Sequence, residues 1–462
     1  MYIFPQNANK SINCIIFRPV IVIGISFEHP LLMLINFKFG NFLSFKDDFT
    51  ITFAPDALKE KQEYLHIPYQ FDSTATLLKS LAIYGHNSHG KSNLIKAYDL
   101  FLRLLLRSHN STDIVEVENF RLNTSSVKQP SFFEATFYLA ESKYRLGFKI
   151  LKNKVIEEWL YYAEPRVREN YLFVRGEQEI KISKTWGKES GKSIERAVHY
   201  TKPDQLLLST LFASTELPPR IDKIYDWLRG NIILTDISVE AQLKQALFIL
   251  SIENYRPLIN KLIDSADLGF TSIIDKIDSY TARNLGMSED LLKIWYRNEI
   301  RDFSLYTTHT VYDENHKRID KTQFEVLKNE SAGTVKFLML ACFLSYAIKQ
   351  GQLILIDEID SKFHSLLLKV IIEFYNDEKN NVNGSQMIFT THNTVLLNDV
   401  LRRDQIFFVE KNIYGESSLR KAHSAQNPIR IDTTVEKEYR KGKLGGISKK
   451  LLSDKNQTKL DF

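Results

Sequence analysis

Hydrophobic and polar positions alternate through much of the N-terminal part of the chain. From Met33, the run MLINFKFGNFLSFKDDFTITF alternates over two stretches joined by a turn, which predicts two paired β-strands. Residues 131–185 repeat the pattern in several short runs separated by turn residues, which indicates an antiparallel meander. Between these regions, residues 81–84 have the pattern of a short buried strand, and residues 93–106 that of a helix with few breakers.

Longer apolar periods follow in the C-terminal half. Residues 204–300 carry few strand signals, and three of their segments have helical spacing: 241–250, 255–265 and 288–296. The other predicted elements are a hairpin at 303–311 and 322–327, an apolar helix at 331–348, and buried strands at 352–356, 386–390 and 405–410. The absence of a sustained heptad pattern in the sequence argues against a long coiled-coil arm.

Composition places the chain among ordinary globular proteins. The hydrophobic fraction is 44%, the charged fraction is 25%, and the net charge of +5 neither requires nor excludes nucleic acid. Cys14 and Cys342 are too few for a disulfide framework. Charges and prolines interrupt the apolar stretch at residues 12–35, so it does not predict a membrane helix. It does not predict a signal peptide either, because no clear small-residue cleavage site follows a basic region. Residues 1–32 are either an upstream extension, with Met33 as the true start, or a disordered or docking arm.

The strongest chemical signal is the motif GHNSHGKS, which directly follows the short strand. Its two glycines allow the backbone to wrap so that N–H groups point at phosphate oxygens, the arrangement of a P-loop. Lys91 is predicted to reach the β- and γ-phosphates of ATP, and the Ser92 hydroxyl to bind Mg²⁺. The helix after the motif places its N-terminus at these phosphates. The residues predicted to contact the nucleotide here are Gly85, His86, Asn87, Ser88, His89, Gly90, Lys91, Ser92 and Asn93.

A pair of carboxylates supplies the second half of the predicted site. Asp357 and Glu358 end the apolar strand, which is the Walker B arrangement. We expect Asp357 to hold Mg²⁺ together with Ser92, and Glu358 to polarise the attacking water. An acidic turn after an ordinary strand is the alternative, and the P-loop upstream disfavours it. The long separation between P-loop and Walker B requires that the meander and the helices are insertions into one nucleotide-binding core.

Two further motifs precede and follow the Walker B strand. The sequence ESAGT, which includes Ser331 and Gly333, opens the apolar helix and resembles the signature motif of ABC-type ATPases. That resemblance implies contacts to the γ-phosphate of a nucleotide on the opposite subunit, whereas a plain helix N-cap is the simpler alternative. His392 follows a strand in the position of the switch histidine, which contacts the γ-phosphate, although a lone histidine is more often structural. Asp360 occupies the place of the D-loop residue at the dimer interface.

Together these motifs resemble the ATPase heads of the SMC and RecF kind. The similarity is greatest to abortive-infection and overcoming-lysogenisation relatives, namely AbiL-like and PARIS-type ATPases within the AAA family. The similarity extends from Met33 to about residue 450. The basic tail of the chain resembles the closing helix of this family. The segments that carry it are NFLSF at 41–45, IYGHNSHGKSNLIKA at 83–97, EEWLYY at 157–162, ESAGT at 330–334, LILIDEIDSKFH at 353–364 and IFTTHNTVLL at 388–397.

The resemblance implies an α/β fold: a P-loop NTPase core of the ABC-ATPase-head type, with an antiparallel β meander and a helical insertion. The predicted division is an extension or arm at 1–32, a P-loop lobe with the meander at 33–200, a helical insertion at 201–300, and a lobe at 301–462. This last lobe holds the signature, Walker B, D-loop and switch histidine.

The resemblance also implies a cytoplasmic, Mg²⁺-dependent ATPase that senses phage infection and controls a separate effector, a nuclease encoded nearby. Such a protein forms a dimer or a higher oligomer when it binds ATP. A phage protein is the candidate trigger, and no association with a membrane is expected. A DNA-repair or DNA-binding ATPase like RecF or SMC is the alternative. Its basic tail between Lys437 and Lys459 would bind nucleic acid, although a solvated helix face is the better explanation of such a run. A third alternative, a scaffold with negligible hydrolysis, is disfavoured by Glu358.

Overall fold

The computed structural model describes residues 32–66, 76–110, 117–235, 239–277, 303–361, 363–423 and 435–441. Its strands are β1 (Leu32–Gly40), β2 (Phe49–Thr52), β3 (Leu65–His66), β4 (Leu77–Leu78), β5 (Ser80–Tyr84), β6 (Ser131–Leu139), β7 (Ser142–Leu151), β8 (Lys154–Ala163), β9 (Asn170–Arg175), β10 (Ile180–Ile182), β11 (Ile232–Leu234), β12 (Ser272–Ile277), β13 (Phe303–Tyr312), β14 (Arg318–Glu325), β15 (Leu353–Ile356), β16 (Gln386–Thr391), β17 (Ile406–Lys411) and β18 (Ser417–Lys421).

The α-helices alternate with these strands mainly in the second half of the chain. They are α1 (Lys91–Arg107), α2 (Lys184–Tyr200), α3 (Leu207–Phe212), α4 (Pro219–Gly230), α5 (Val239–Ser251), α6 (Arg256–Ala266), α7 (Val326–Asn329), α8 (Ala332–Gln350), α9 (Ser365–Asn376), α10 (Leu396–Asp399) and α11 (Val435–Arg440).

Two large sheets form the frame. The predicted meander joins β1 and β2 in a seven-stranded antiparallel sheet of order β10-β9-β8-β7-β6-β1-β2. The second sheet has the order β11-β15-β16-β5-β17-β18 and is parallel except for β18, which pairs antiparallel with β17. The predicted fold class, an α/β P-loop core with an antiparallel meander, is confirmed.

The hydrophobic core lies on both faces of the parallel sheet. In β15, Leu353 and Leu355 pack with the antiparallel sheet, α1 and α3, whereas Ile354 and Ile356 pack with α5, α6, α8 and α9. Strands covered on both faces read as continuous apolar runs, which is why β15 was recognisable in the sequence. A pair of hydrogen bonds joins the two sheets: the Leu34 N–H donates to Gln386 Oε1 (2.6 Å), and Gln386 Nε2 donates to the Leu34 carbonyl (2.9 Å).

Helix α8 confirms the predicted apolar helix. It is long and apolar enough to cross a membrane, with a mean hydropathy of 1.4, but 72% of that apolar stretch is buried inside the protein. Its side chains belong to the core cluster shared with α5, α6 and β15. Helix α8 is therefore apolar because it is a central helix of the hydrophobic core.

Two strands within the region predicted to be helical were missed. β11 adds a parallel edge strand beside β15, and β12 joins β13 and β14 in a three-stranded sheet. A three-residue apolar run such as β11 has too few positions to show a period of two. The predicted helix at 288–296 lies outside the described residues, as do residues 1–31. The assignment of Met33 as the start and the division into lobes therefore stay predictions.

The second strand of the predicted hairpin at 322–327 has the wrong bounds. The strand β14 begins at Arg318, and Val326–Asn329 forms the short helix α7. Side chains along β14 are mostly exposed on both faces, so no alternation of apolar residues marks its start. Pairing with β13, rather than burial, defines this strand.

Candidate functional site

The P-loop connects β5, in the interior of the parallel sheet, to α1. Gly90 has φ 114°, a left-handed conformation in which only glycine is unstrained. A Cβ atom there would lie 2.6 Å from Ser417 Oγ and 2.8 Å from Ser44 Oγ. At Gly85, a Cβ atom would lie 2.7 Å from the Val409 carbonyl oxygen. Gly90 is therefore required by its backbone conformation and by two neighbouring hydroxyls, and Gly85 by a neighbouring backbone carbonyl.

Lys91 points its ammonium group back into the loop. Its side chain is buried, and Nζ donates to the carbonyl oxygens of Gly85 (2.8 Å) and His86 (3.3 Å). Burial lowers the pKa of Lys91, while the carboxylates of Asp357 and Glu358 act in the opposite direction. An ammonium group has three protons, and two hydrogen bonds to neutral carbonyls leave one proton for an anion. This arrangement fits a phosphate group.

A chain of hydroxyl groups holds the loop from outside. Asn93 Nδ2 donates to Ser44 Oγ (2.8 Å), Ser44 and Ser417 are joined through their hydroxyls (2.8 Å), and Ser417 Oγ donates to the His89 carbonyl (2.6 Å). Ser44 follows β1 and Ser417 opens β18, so both large sheets contribute to the loop. Sequence reasoning did not single out Ser44 or Ser417. It predicted Asn93 as a nucleotide contact, whereas the structure places its amide on Ser44.

The Walker B carboxylates lie at the same edge of the sheet, because β16 pairs in parallel with both β15 and β5. Thr390, near the end of β16, is fully buried and forms hydrogen bonds to both Walker B residues. Its hydroxyl donates to Asp357 Oδ1 (2.5 Å) and accepts from the Glu358 N–H (2.7 Å). Glu358 adopts φ 49°, and its side chain is exposed. Thr390 was missed as a site residue, although it stands two residues before the predicted switch histidine.

His392 and Asp360 also reach this edge. The His392 N–H donates to Asp360 Oδ2 (3.0 Å), which ties the D-loop to the end of β16. Partial burial and the charge of Lys91 lower the pKa of the His392 imidazole, against the opposing effect of Asp360 and Glu358. The charges of Lys91 and Glu358 both affect the pKa of His392, so the three side chains lie close enough to interact electrostatically. Burial thus favours the neutral form of the imidazole.

The predicted signature residues lie at the N-terminus of α8. Ser331 is the N-cap, and its Oγ accepts from the Thr334 N–H at 3.1 Å. Next to it, Glu330 Oε1 accepts from Thr307 Oγ1 (2.5 Å) and lies 2.9 Å from His309 Nε2. Ser331 is exposed, and within the described ranges its hydrogen bonds do not reach the P-loop of the same chain. The structure thus shows the helix cap, and the contact to a second subunit stays a prediction.

The residues for a magnesium ion are few. In the part of the chain that the structure describes, no group of three or more His, Cys, Asp or Glu side chains could hold a metal ion. Mg²⁺ commonly binds through one or two protein oxygens together with phosphate oxygens and water. Ser92 and Asp357 are compatible with that mode, in which the nucleotide supplies the remaining ligands.

The fold and the site define a P-loop protein that binds a nucleoside triphosphate. Residues 80–398 match a family model described as "AAA domain, putative AbiEii toxin, Type IV TA system". The match covers more than half of the chain, which therefore belongs to this family of AAA domains. No match was found among curated proteins. The family supports the predicted AAA-type ATPase, whereas the AbiL-like or PARIS-type branch stays a prediction.

The solved structures with distant similarity include two Smc heads and RecF. One is an Smc head bound to the C-winged helix domain of ScpA, with 13% identity, a TM-score of 0.39, and coverage of 85% of this chain and 98% of that chain. Another is the Pyrococcus yayanosii Smc head with a coiled coil and joint, with 11% identity, a TM-score of 0.41, and coverage of 89% and 100%. The recombination mediator RecF has 14% identity, a TM-score of 0.31, and coverage of 85% and 99%.

Replacing Gly90 with alanine should abolish nucleotide binding. The new methyl group would overlap Ser417 Oγ and Ser44 Oγ, and the left-handed backbone would be strained by about 1–2 kcal/mol in addition. Titration with a fluorescent ATP analogue measures the effect. The matched control is Gly187→Ala in α2, where a Cβ atom would meet Ile182 at 3.8 Å and nothing closer. Equal affinity of the two variants would show that the loop does not need its observed shape to bind.

Proposed function

We propose that the protein is a Mg²⁺-dependent ATPase of the ABC type that acts as sensor and regulator in an antiphage, abortive-infection system. The observation that carries the ATPase proposal is the meeting of Lys91, Asp357, Glu358 and His392 at one sheet edge, with Thr390 between them. The family description, which names a putative AbiEii toxin, supports the defence role. In this role the ATPase controls a separate effector, a nuclease on another chain.

Each side chain has a distinct task in this proposal. The P-loop N–H groups and Lys91 would bind the phosphates, and Ser92 and Asp357 would hold Mg²⁺, which would supply charge neutralisation at the phosphate oxygens. Glu358 accepts the proton of the attacking water, because its side chain is exposed at the edge where the γ-phosphate would lie. Thr390 fixes the orientation of both carboxylate residues. His392 would donate a hydrogen bond to the γ-phosphate.

The proposed active unit is a dimer formed on ATP. Ser331 is exposed and Gly333 half-buried, and the hydrogen bonds of Ser331 stay within its own helix, which supports a site shared between two chains. Two-fold symmetry would then create two equal sites, each with the P-loop of one chain and the signature of the other. Assembly above the dimer, a phage trigger protein and a cytoplasmic location belong to the same proposal.

The proposal is tested first at Lys91. Lys91→Ala removes the buried positive charge, so ATP affinity should fall about ten- to a hundredfold, as expected for one charge-assisted hydrogen bond. Calorimetry with ATP and Mg²⁺ measures the affinity, and release of phosphate measures turnover. Lys96→Ala is the matched control, since Lys96 is an exposed lysine on the same helix. Unchanged ATP affinity in Lys91→Ala would remove the assignment of the P-loop.

A further inference from the structure

Lys336 is a buried cation on the second turn of α8, and 7% of its surface is exposed. Its Nζ donates to the carbonyl oxygen of Ser361 at 2.7 Å and to that of Glu358 at 3.4 Å. The ammonium group also lies 5.0 Å from the centre of the Phe363 ring. A lysine on the signature helix thus binds the backbone of the turn that follows the Walker B strand.

The turn that Lys336 holds is the one that orients the proposed catalytic carboxylate. Glu358 has φ 49°, a conformation that non-glycine residues adopt only when their surroundings enforce it. Thr390 fixes the Glu358 N–H from one side, and Lys336 fixes its carbonyl oxygen from the other. The bond to Ser361 has the short length of a charge-assisted hydrogen bond, whereas the contact to Glu358 is longer. Lys336 therefore holds the turn mainly at Ser361 and acts on the Glu358 backbone through that turn.

The same helix begins at the predicted signature. Ser331 caps α8, and Lys336 lies five positions further along the same hydrogen-bonded helix. A short helical segment moves as a unit, because each of its turns is held by backbone hydrogen bonds. A displacement at Ser331 is therefore passed to Lys336, and through its hydrogen bonds to the Glu358 backbone.

We propose that Lys336 is a positioning residue that links the two composite ATP sites of a dimer. The inference rests on the proposed function. In a two-fold dimer, Ser331 of one chain would contact the nucleotide held by the partner, whereas Glu358 of that chain serves its own nucleotide. The path from Ser331 through Lys336 to Glu358 runs within one chain and connects one site to the other. Binding of ATP at one site thereby orients the catalytic carboxylate at the second.

The test is the dependence of ATP turnover on ATP concentration in the full chain. Two coupled sites give a Hill coefficient above 1 and at most 2 in the wild type. Lys336→Met should give a Hill coefficient of 1 and a turnover roughly tenfold lower. Its affinity for a non-hydrolysable ATP analogue, measured on the single chain before it dimerises, should be unchanged. Lys336→Arg keeps the charge and the donors and should restore cooperativity. Lys349→Met, at an exposed lysine of the same helix, should behave as the wild type.

Several outcomes would overturn the coupling. They are a wild-type Hill coefficient of 1, a Lys336→Met variant as cooperative as the wild type, and an arginine variant that folds but stays non-cooperative. Should the methionine variant fail to fold, Lys336→Gln takes its place, because glutamine is neutral, shorter and still polar. Failure of the proposed function looks different, since a wild-type protein without ATP turnover, or one that binds ATP without Lys91, contradicts the ATPase itself.

Discussion

Replacing Glu358 with glutamine should leave ATP bound while hydrolysis falls by roughly a hundredfold or more, the contribution of a positioned general base. The amide keeps the size of the side chain but cannot accept the proton of water. Binding should survive because the phosphates are held by Lys91 and the P-loop, and Mg²⁺ by Ser92 and Asp357. The Glu358 backbone also keeps its two hydrogen bonds, because its N–H donates to Thr390 Oγ1 and its carbonyl oxygen accepts from Lys336 Nζ, and neither bond involves the carboxylate.

Two measurements check this expectation. Release of phosphate reports turnover, and light scattering with ATP reports mass, which should double as the variant is trapped as a dimer around two nucleotides. Glu378→Gln is the control, because Glu378 is an exposed carboxylate after α9. Full turnover in Glu358→Gln would mean that another group positions the water, and His392 would be the next candidate.

The second large effect is expected at Ser331. Ser331→Arg should leave ATP binding to the single chain intact, because that pocket is built from the chain's own P-loop. Hydrolysis should disappear, because the arginine side chain would occupy the space of the partner's γ-phosphate and block closure of the dimer. Binding by calorimetry and turnover by phosphate release separate the two effects.

The loss of a helix cap must be separated from the loss of the shared site. Ser331→Arg removes an N-cap hydrogen bond, which costs about 1 kcal/mol of stability. Ser183→Arg removes the corresponding cap of α2, where Ser183 accepts from the Trp186 N–H at 3.2 Å, and it should hydrolyse ATP normally. Thermal melting of the two variants shows whether their stabilities are comparable.

Mixing two inactive variants gives the sharpest evidence for a shared site. Ser331→Arg chains keep an intact P-loop, and Lys91→Ala chains keep an intact signature. A mixed dimer therefore has one site with both halves intact and should recover part of the turnover. A mixture that stays inactive, although each variant folds and the two chains associate, would mean that both sites must act together or that the site is not shared. Normal hydrolysis by the Ser331→Arg variant alone would mean that the predicted signature is only the N-cap of α8.

Residues that belong to a contiguous motif could be predicted from the sequence. The P-loop and the Walker B strand combine an apolar run with fixed chemistry, so both the element and its neighbouring strands were recognisable. The contacts of Thr390, Ser417 and Lys336 could not be read in this way. Each depends on a partner far away along the chain, and a serine or threonine hydroxyl leaves no periodic signal of its own.

The limits of prediction for the fold have the same cause. Strands β11 and β14 lack an alternating pattern, since β11 is three residues long and β14 is exposed on both faces. Their positions are determined by pairing with β15 and β13, and such pairing depends on contacts between distant segments. Helix α8 shows the opposite case. It is apolar on nearly every side, so its identity as a helix was evident although its buried surroundings were not.

The pairing of β5 has a consequence for the order in which the protein is completed during synthesis. Both neighbours of β5, β16 and β17, lie in the last third of the chain, and Ser417 follows them. Domains fold as their segments leave the ribosome, N-terminal parts first. The P-loop therefore emerges early, but β5 has neither of its neighbouring strands until β16 and β17 have been made. We expect a nascent chain to bind nucleotide in this site only after those two strands have left the ribosome.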